Sequence, residues 1–145
     1  MRSNKKLPKS VKEEYLLDKK NKNPETQTVF EIAIEFGLID SSIAPKTIKE
    51  WTCLSDKQLF KVRNNLKVEL GLAIMFCVGI GATYQQTQKI IWRALGYDLG
   101  APPLYDYDYA LRKACSIEEK DIGERVYCLK IELEKRNVAD RCINN

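Results

Sequence analysis

The chain contains no histidine at all, and its five cysteines (Cys53, Cys77, Cys115, Cys128 and Cys142) show no CxxC spacing. Zinc sites built from Cys and His are therefore not expected, and no metal ligand set is assigned. An odd cysteine count also lacks the paired framework of a small secreted domain, so a reducing, cytoplasmic setting is expected, with most thiols acting as small apolar side chains. The longest apolar run, Leu70–Ile80, is eleven residues, too short to span a bilayer, and the charged N-terminus has no apolar stretch of the secretory kind, so no membrane partner is expected. Catalysis has little to work with. There is no imidazole base, no strained serine elbow and no cysteine with a base nearby in sequence, and the chain is read as a non-enzyme without cofactors.

What is present is charge of uneven distribution. Net charge is +4 over 145 residues, but residues 1–24 carry eight Lys/Arg against three acids, which leaves the body close to neutral. Such an arm can hold phosphate by counterion release, or it can be a solvated extension. The domain reading is a basic arm over 1–26, a core bundle over 27–115, and a C-terminal amphipathic helix with its tail over 116–145.

The pattern is helical throughout, and the expected class is all-α. Ser10-Val-Lys-Glu13 reads as a capping box opening a short charged helix over 11–20, and NKNPET at 21–26 breaks it. Apolar residues crowd 29–36 before Gly37. Pro45 suits the first position of a helix to Trp51, and a tight turn over 52–54 leads to a second box, Ser55-Asp-Lys-Gln58, with a helix to Asn64. Leu66–Val78 is apolar almost all round, as a central buried helix would be. Thr83-Tyr-Gln-Gln86 opens a helix ending at Leu95 before Gly96. Its expected inner face is Ile90, Ile91, Ala94 and Leu95, with Trp92 left outside or packed elsewhere. Tyr105–Ala114 is helical, and Ser116-Ile-Glu-Glu119 is expected to cap a last helix to Arg136. On that helix Ile122, Val126, Leu129 and Leu133 form a stripe that is either a homodimer seam or packing on the chain's own core. The glycines of GIG at 79–81 lack the strand and lysine of a phosphate loop and read as a helix stop. In LYDYDY at 104–109, Asp108 is expected to cap a helix or pair with Arg112.

Two short helices, a turn of about three residues and a basic second helix follow helix-turn-helix grammar. Leu54, Leu59 and Val62 would face inward, and from 46 to 67 six basic residues stand against two acids. The run PKTIKEWTCLSDKQLFKVRNN, then LKVELGLAIMFCVGIG, then ATYQQTQKIIWRALGYDL resembles the lambda-repressor-like (XRE) helix-turn-helix family over about 45–115, in a divergent bacterial or phage form. The resemblance implies a helix-turn-helix bundle, here with a basic N-terminal arm and a C-terminal helical extension. It also implies a transcriptional regulator that reads double-stranded DNA, usually as a dimer. On that reading Lys57, Gln58, Lys61 and Asn64 would face the major groove, while Lys46, Lys49, Arg63 and Lys67 would reach phosphates. Three positions depart from the family pattern: Cys53 stands where the turn often has glycine, Phe60 where a small polar residue is common, and Arg63 where an acid is frequent. The bland counterpart is a solvated helix face in an ordinary bundle. The functional alternative is a protein-interaction module, an adaptor or inhibitor, in which Phe60 and Trp92 meet a protein partner.

Overall fold

The computed structural model describes residues 27–118 and 121–136, and all regular structure among them is helical. The expected arm, the helix over 11–20, the break after it and the tail beyond 136 lie outside the described residues. The helices are α1 (Val29–Glu35), α2 (Pro45–Thr52), α3 (Asp56–Asn64), α4 (Leu70–Gly79), α5 (Tyr84–Leu95), α6 (Tyr105–Cys115) and α7 (Ile122–Lys135), with a 3₁₀ turn over Pro102–Leu104 before α6.

Local chemistry sets most of the boundaries. Ser55 accepts from the Gln58 amide at 3.2 Å while Gln58 Oε1 accepts from the Ser55 amide at 3.0 Å, so the box opening α3 is closed on both sides. Thr83 and Gln86 do the same for α5, at 3.1 and 2.9 Å. Thr28 and Glu31 form a third box at α1, one that the sequence reading passed over. Each satisfies amides that a helix start otherwise leaves bare, a contribution of about 1 kcal/mol. Ser116 does not open the last helix as expected, and Glu119, the other half of that box, lies outside the described residues. The Ser116 hydroxyl donates to the Lys113 carbonyl at 2.6 Å and ends α6, and α7 starts later, at Ile122. That α6 end is closed by Arg125 of α7, whose Nε donates to the Ile117 carbonyl at 2.7 Å and whose Nη2 donates to Cys115 at 3.3 Å. A cation on a helix C-terminus also complements its dipole.

Helix α4 is the centre. Nine of its ten residues are buried, and it begins at Leu70 rather than Leu66. The cause is that the backbone stays extended at Asn65 and Glu69, so residues 66–69 form a connection in which Val68 is the buried apolar residue. Helices α2, α3, α5, α6 and α7 pack on α4, and α1 reaches it through the Phe30 and Phe76 rings, 6.0 Å between centroids. Burial of each large aliphatic or aromatic side chain of that helix contributes roughly 1.5–3 kcal/mol. A polar lock joins α5 to α6. Asp108 accepts from the Tyr84 hydroxyl at 2.6 Å and from Arg112 Nε at 2.8 Å, and the Arg112 guanidinium lies 4.8 Å from the Tyr84 ring centre. Burial first, and then the adjoining Asp108 carboxylate, raise the Tyr84 phenol well above the ordinary tyrosine value. Asp108 thus pairs with Arg112, one of the two roles expected of it.

Two backbone details fix α2 against its neighbours. Thr52, fully buried, donates to the Ile48 carbonyl at 2.8 Å and accepts from the Leu54 amide at 3.3 Å. Directly behind it, a Cβ built on Gly79 would lie 2.6 Å from Thr52 Cγ2, 2.8 Å from Thr52 Cα and 2.9 Å from the Trp51 carbonyl. Only a residue without a side chain lets α2 and α4 approach so closely. Gly79→Ala adds helix propensity worth at most about 1 kcal/mol, but it drives backbone against backbone. The expected net effect is a loss of about 1–2 kcal/mol in urea unfolding, and a neutral or stabilised variant would contradict this packing. Cys53 is the one non-glycine residue at positive φ (61°, with ψ 19°) among the described residues. A left-handed L-residue costs about 1–2 kcal/mol, and glycine gives back only part of that gain through unfolded-chain entropy. Cys53→Gly is expected to stabilise by about 0.5–1 kcal/mol in the same assay.

Candidate nucleic-acid interface

The connection between α2 and α3 is three residues, 53–55. Cys53 turns the chain by its left-handed backbone, and its amide still reaches the Lys49 carbonyl at 3.0 Å. Leu54 (5 % exposed), Leu59 (3 %) and Val62 (0 %) then hold α3 to the core, as expected from the sequence. The opposite side of α3 is left to solvent. Asp56, Lys57, Phe60 and Asn64 are exposed there, with Gln58 and Lys61 half-buried at its edges.

The eight residues expected to meet nucleic acid fall into different situations. Lys46, Lys57 and Lys67 are exposed and pair with no carboxylate among the described residues. Lys49 pairs with Asp56 across the turn. Lys61 Nζ lies 3.0 Å from Glu69, a carboxylate only 8 % exposed that the sequence reading did not single out. Gln58 Oε1 is engaged in the cap of its own helix, and Asn64 Nδ2 donates to the Phe60 carbonyl at 3.0 Å. Arg63 departs furthest from expectation. Its guanidinium lies 4.5 Å from the Phe30 ring centre, and Nη1 is buried with no hydrogen-bond partner. It joins α3 to α1 by a cation–π contact rather than standing free for a phosphate, because α1 and α3 pack against each other and bring the Phe30 ring within reach. An ion pair at a surface is worth about 0–1 kcal/mol, so Lys49 can exchange its exposed partner Asp56, whereas Lys61 would have to leave a nearly buried carboxylate and Arg63 a packed ring.

The proposed protein contacts also divide. Phe60 is 64 % exposed in the middle of the α3 outer face. Trp92 is 2 % exposed and is not a surface contact. Helix α5 is packed by α1, α4 and α6, so its buried face is wider than the four positions assigned to it and takes in the indole. The α7 stripe is not a free seam either. Val126, Leu129 and Leu133 are at most 2 % exposed because α7 lies against α4 and α6, and Ile122 sits over the loop after α4, where its Cδ1 would be 3.4 Å from a Cβ on Gly81.

No group of three or more metal-ligating side chains occurs among the described residues, and no helix there is long and apolar enough to cross a membrane. The acids of LYDYDY are used structurally: Asp108 in the α5–α6 lock, and Asp106 with Arg136 of the α7 end at 3.3 Å. Glu132 of α7, 5 % exposed, faces Lys113, Lys135 and Arg136 at 3.3–3.7 Å, which ties α6 and α7 together.

The same division predicts stability effects. Phe60→Ala is expected to change unfolding free energy by less than about 0.5 kcal/mol. Arg63→Ala removes the ring contact and alkyl packing, and should cost roughly 1 kcal/mol or more. Equal effects at the two positions would mean that α3 is turned differently. No protein-family model matches the chain, and neither a curated protein nor a solved structure matches it.

Proposed function

We propose that α2, the three-residue turn and α3 form a helix-turn-helix, and that the α3 outer face docks on duplex DNA in the service of transcriptional regulation. The observation that carries this reading is the left-handed backbone of Cys53 in the turn, together with the inward Leu54, Leu59 and Val62. A glycine-like turn of three residues lets one helix brace against the core while the next projects its N-terminal half, the arrangement that enters a major groove. Lys46, Lys57 and Lys67 supply unpaired charge beside that face. Lys57 is the cation on α3 itself best placed to meet a base edge or phosphate. With Gln58 and Asn64 held by their own helix, direct base reading rests on few side chains. Attraction to phosphate therefore carries most of the affinity on this reading.

A second reading has its own observation. Phe60, with Leu66 42 % exposed just beyond α3, gives the same region large apolar side chains facing water. Such side chains suit a protein partner better than a phosphate-lined groove.

Fluorescence anisotropy on random-sequence duplex separates the two. Each phosphate contact adds about −0.9 to the slope of log affinity against log salt. Lys46→Ala/Lys57→Ala should therefore make the slope shallower by roughly 1–2 and weaken binding, with Phe60→Ala much less affected. An unchanged slope in the double variant that disappears on removal of residues 1–26 would assign the affinity to the arm instead. No duplex binding at low salt would leave the protein-partner reading.

A further inference from the structure

Beside α3 lies a cavity of about 330 Å³ that the DNA reading leaves unused. Its apolar lining comes from Val68, Leu70 and Leu104, joined by two tyrosines, Tyr97 and Tyr107. The remaining lining comes from two charged side chains, Lys67 and Glu69. Three separate parts of the chain meet here: the connection before α4, the loop after α5, and the entry to α6. Val68, Leu70 and Tyr107 are fixed by the core, at 9 %, 8 % and 8 % exposed. The site is therefore held by packed elements and not by one loop, and its volume is at the small end of ligand sites.

The charges decide what it takes. Glu69 is already paired to Lys61 at 3.0 Å, so its charge is balanced from outside the cavity. Lys67 has no carboxylate partner among the described residues. The cavity is therefore lined by one uncompensated cation together with apolar and aromatic side chains. We infer that it binds a small organic monoanion, a carboxylate on a single-ring or branched apolar body, with the anion on Lys67 and the body against Tyr97, Tyr107 and Leu104. A cation would meet Lys67, and a neutral polyol would leave the apolar lining unmatched.

Occupancy is transmitted to α3. Glu69 lines the cavity on one side and holds Lys61 on the other, so an anion settling on Lys67 repels the Glu69 carboxylate and loosens its grip on Lys61. A ligand of this kind would regulate the face assigned above to DNA. That consequence rests on the DNA reading, whereas the binding site does not.

The test is an amide-resolved NMR titration of the full chain with benzoate, with benzylamine and benzyl alcohol as shape-matched controls. Benzoate is expected to move the amide signals of 67–70, 97 and 104–107 and of Lys61 in a saturable way. Lys67→Ala is expected to weaken it roughly tenfold. Leu104→Trp, which fills the hollow from a half-buried position, should abolish binding while the rest of the spectrum stays dispersed. Absence of saturable shifts around the cavity, benzylamine binding as well as benzoate, or wild-type binding by Leu104→Trp would each overturn the site. Shifts around the cavity without any at Lys61 would overturn the link to α3. Because no DNA is present, failure here is distinct from failure of the anisotropy experiment.

Discussion

Every other helix in the described part of the chain rests on α4. It has no solvent face of its own to speak of, since nine of its ten residues are buried, and the six remaining helices each present an apolar stripe to it or to one another. A helix with that composition cannot define an orientation by amphipathicity. The neighbours do so instead, through particular shapes: the Phe30 ring on Phe76 from one side, and the Thr52 backbone against Gly79 from another. The pose of α2 and α3 is a product of this packing. The outer face of α3 is available because Leu59 and Val62 are anchored to a core that α4 organises.

Polar interactions then do what apolar burial cannot, which is to specify direction. The Tyr84–Asp108–Arg112 group sets α6 against α5, and Glu132 with its three cations sets α7 against α6. Arg125 closes the end of α6 from the following helix. Buried carboxylates of this kind are stable only with partners, so each serves as a register mark between helices as much as a source of stability.

The helical segments were legible because their signals are local. A proline at the first position of α2, reciprocal caps at α3 and α5, and glycine after α1 and α5 act within one turn of chain. The inward set of α3 was equally plain from spacing. The misreadings share one cause, which is that the deciding partner is distant in sequence. Ser116 matched a capping pattern, but its hydroxyl was taken by the helix it ends and Arg125 supplied the rest. Arg63 looked like a surface cation until Phe30, far earlier in the chain, covered it. Trp92, expected either outside or packed elsewhere and offered as a partner contact, is packed inside because α5 meets α1, α4 and α6 at once. At the site, the exposure of Lys57 and Phe60 could be read from sequence, whereas the capture of Lys61 by Glu69 and the hollow beside it depend on loops meeting in space.

The central place of α4 also bears on how the chain comes into being. Synthesis runs from the N-terminus, so α1–α3 emerge first and find only part of the surface they need. When α4 follows, three of the helices that cover it, α5, α6 and α7, are not yet made, and the last of them ends at Lys135. Until then an eleven-residue apolar run stands open to water and to other nascent chains. Completion of this core is thus tied to the emergence of α7, and the interval before it is when the bundle is most exposed to aggregation.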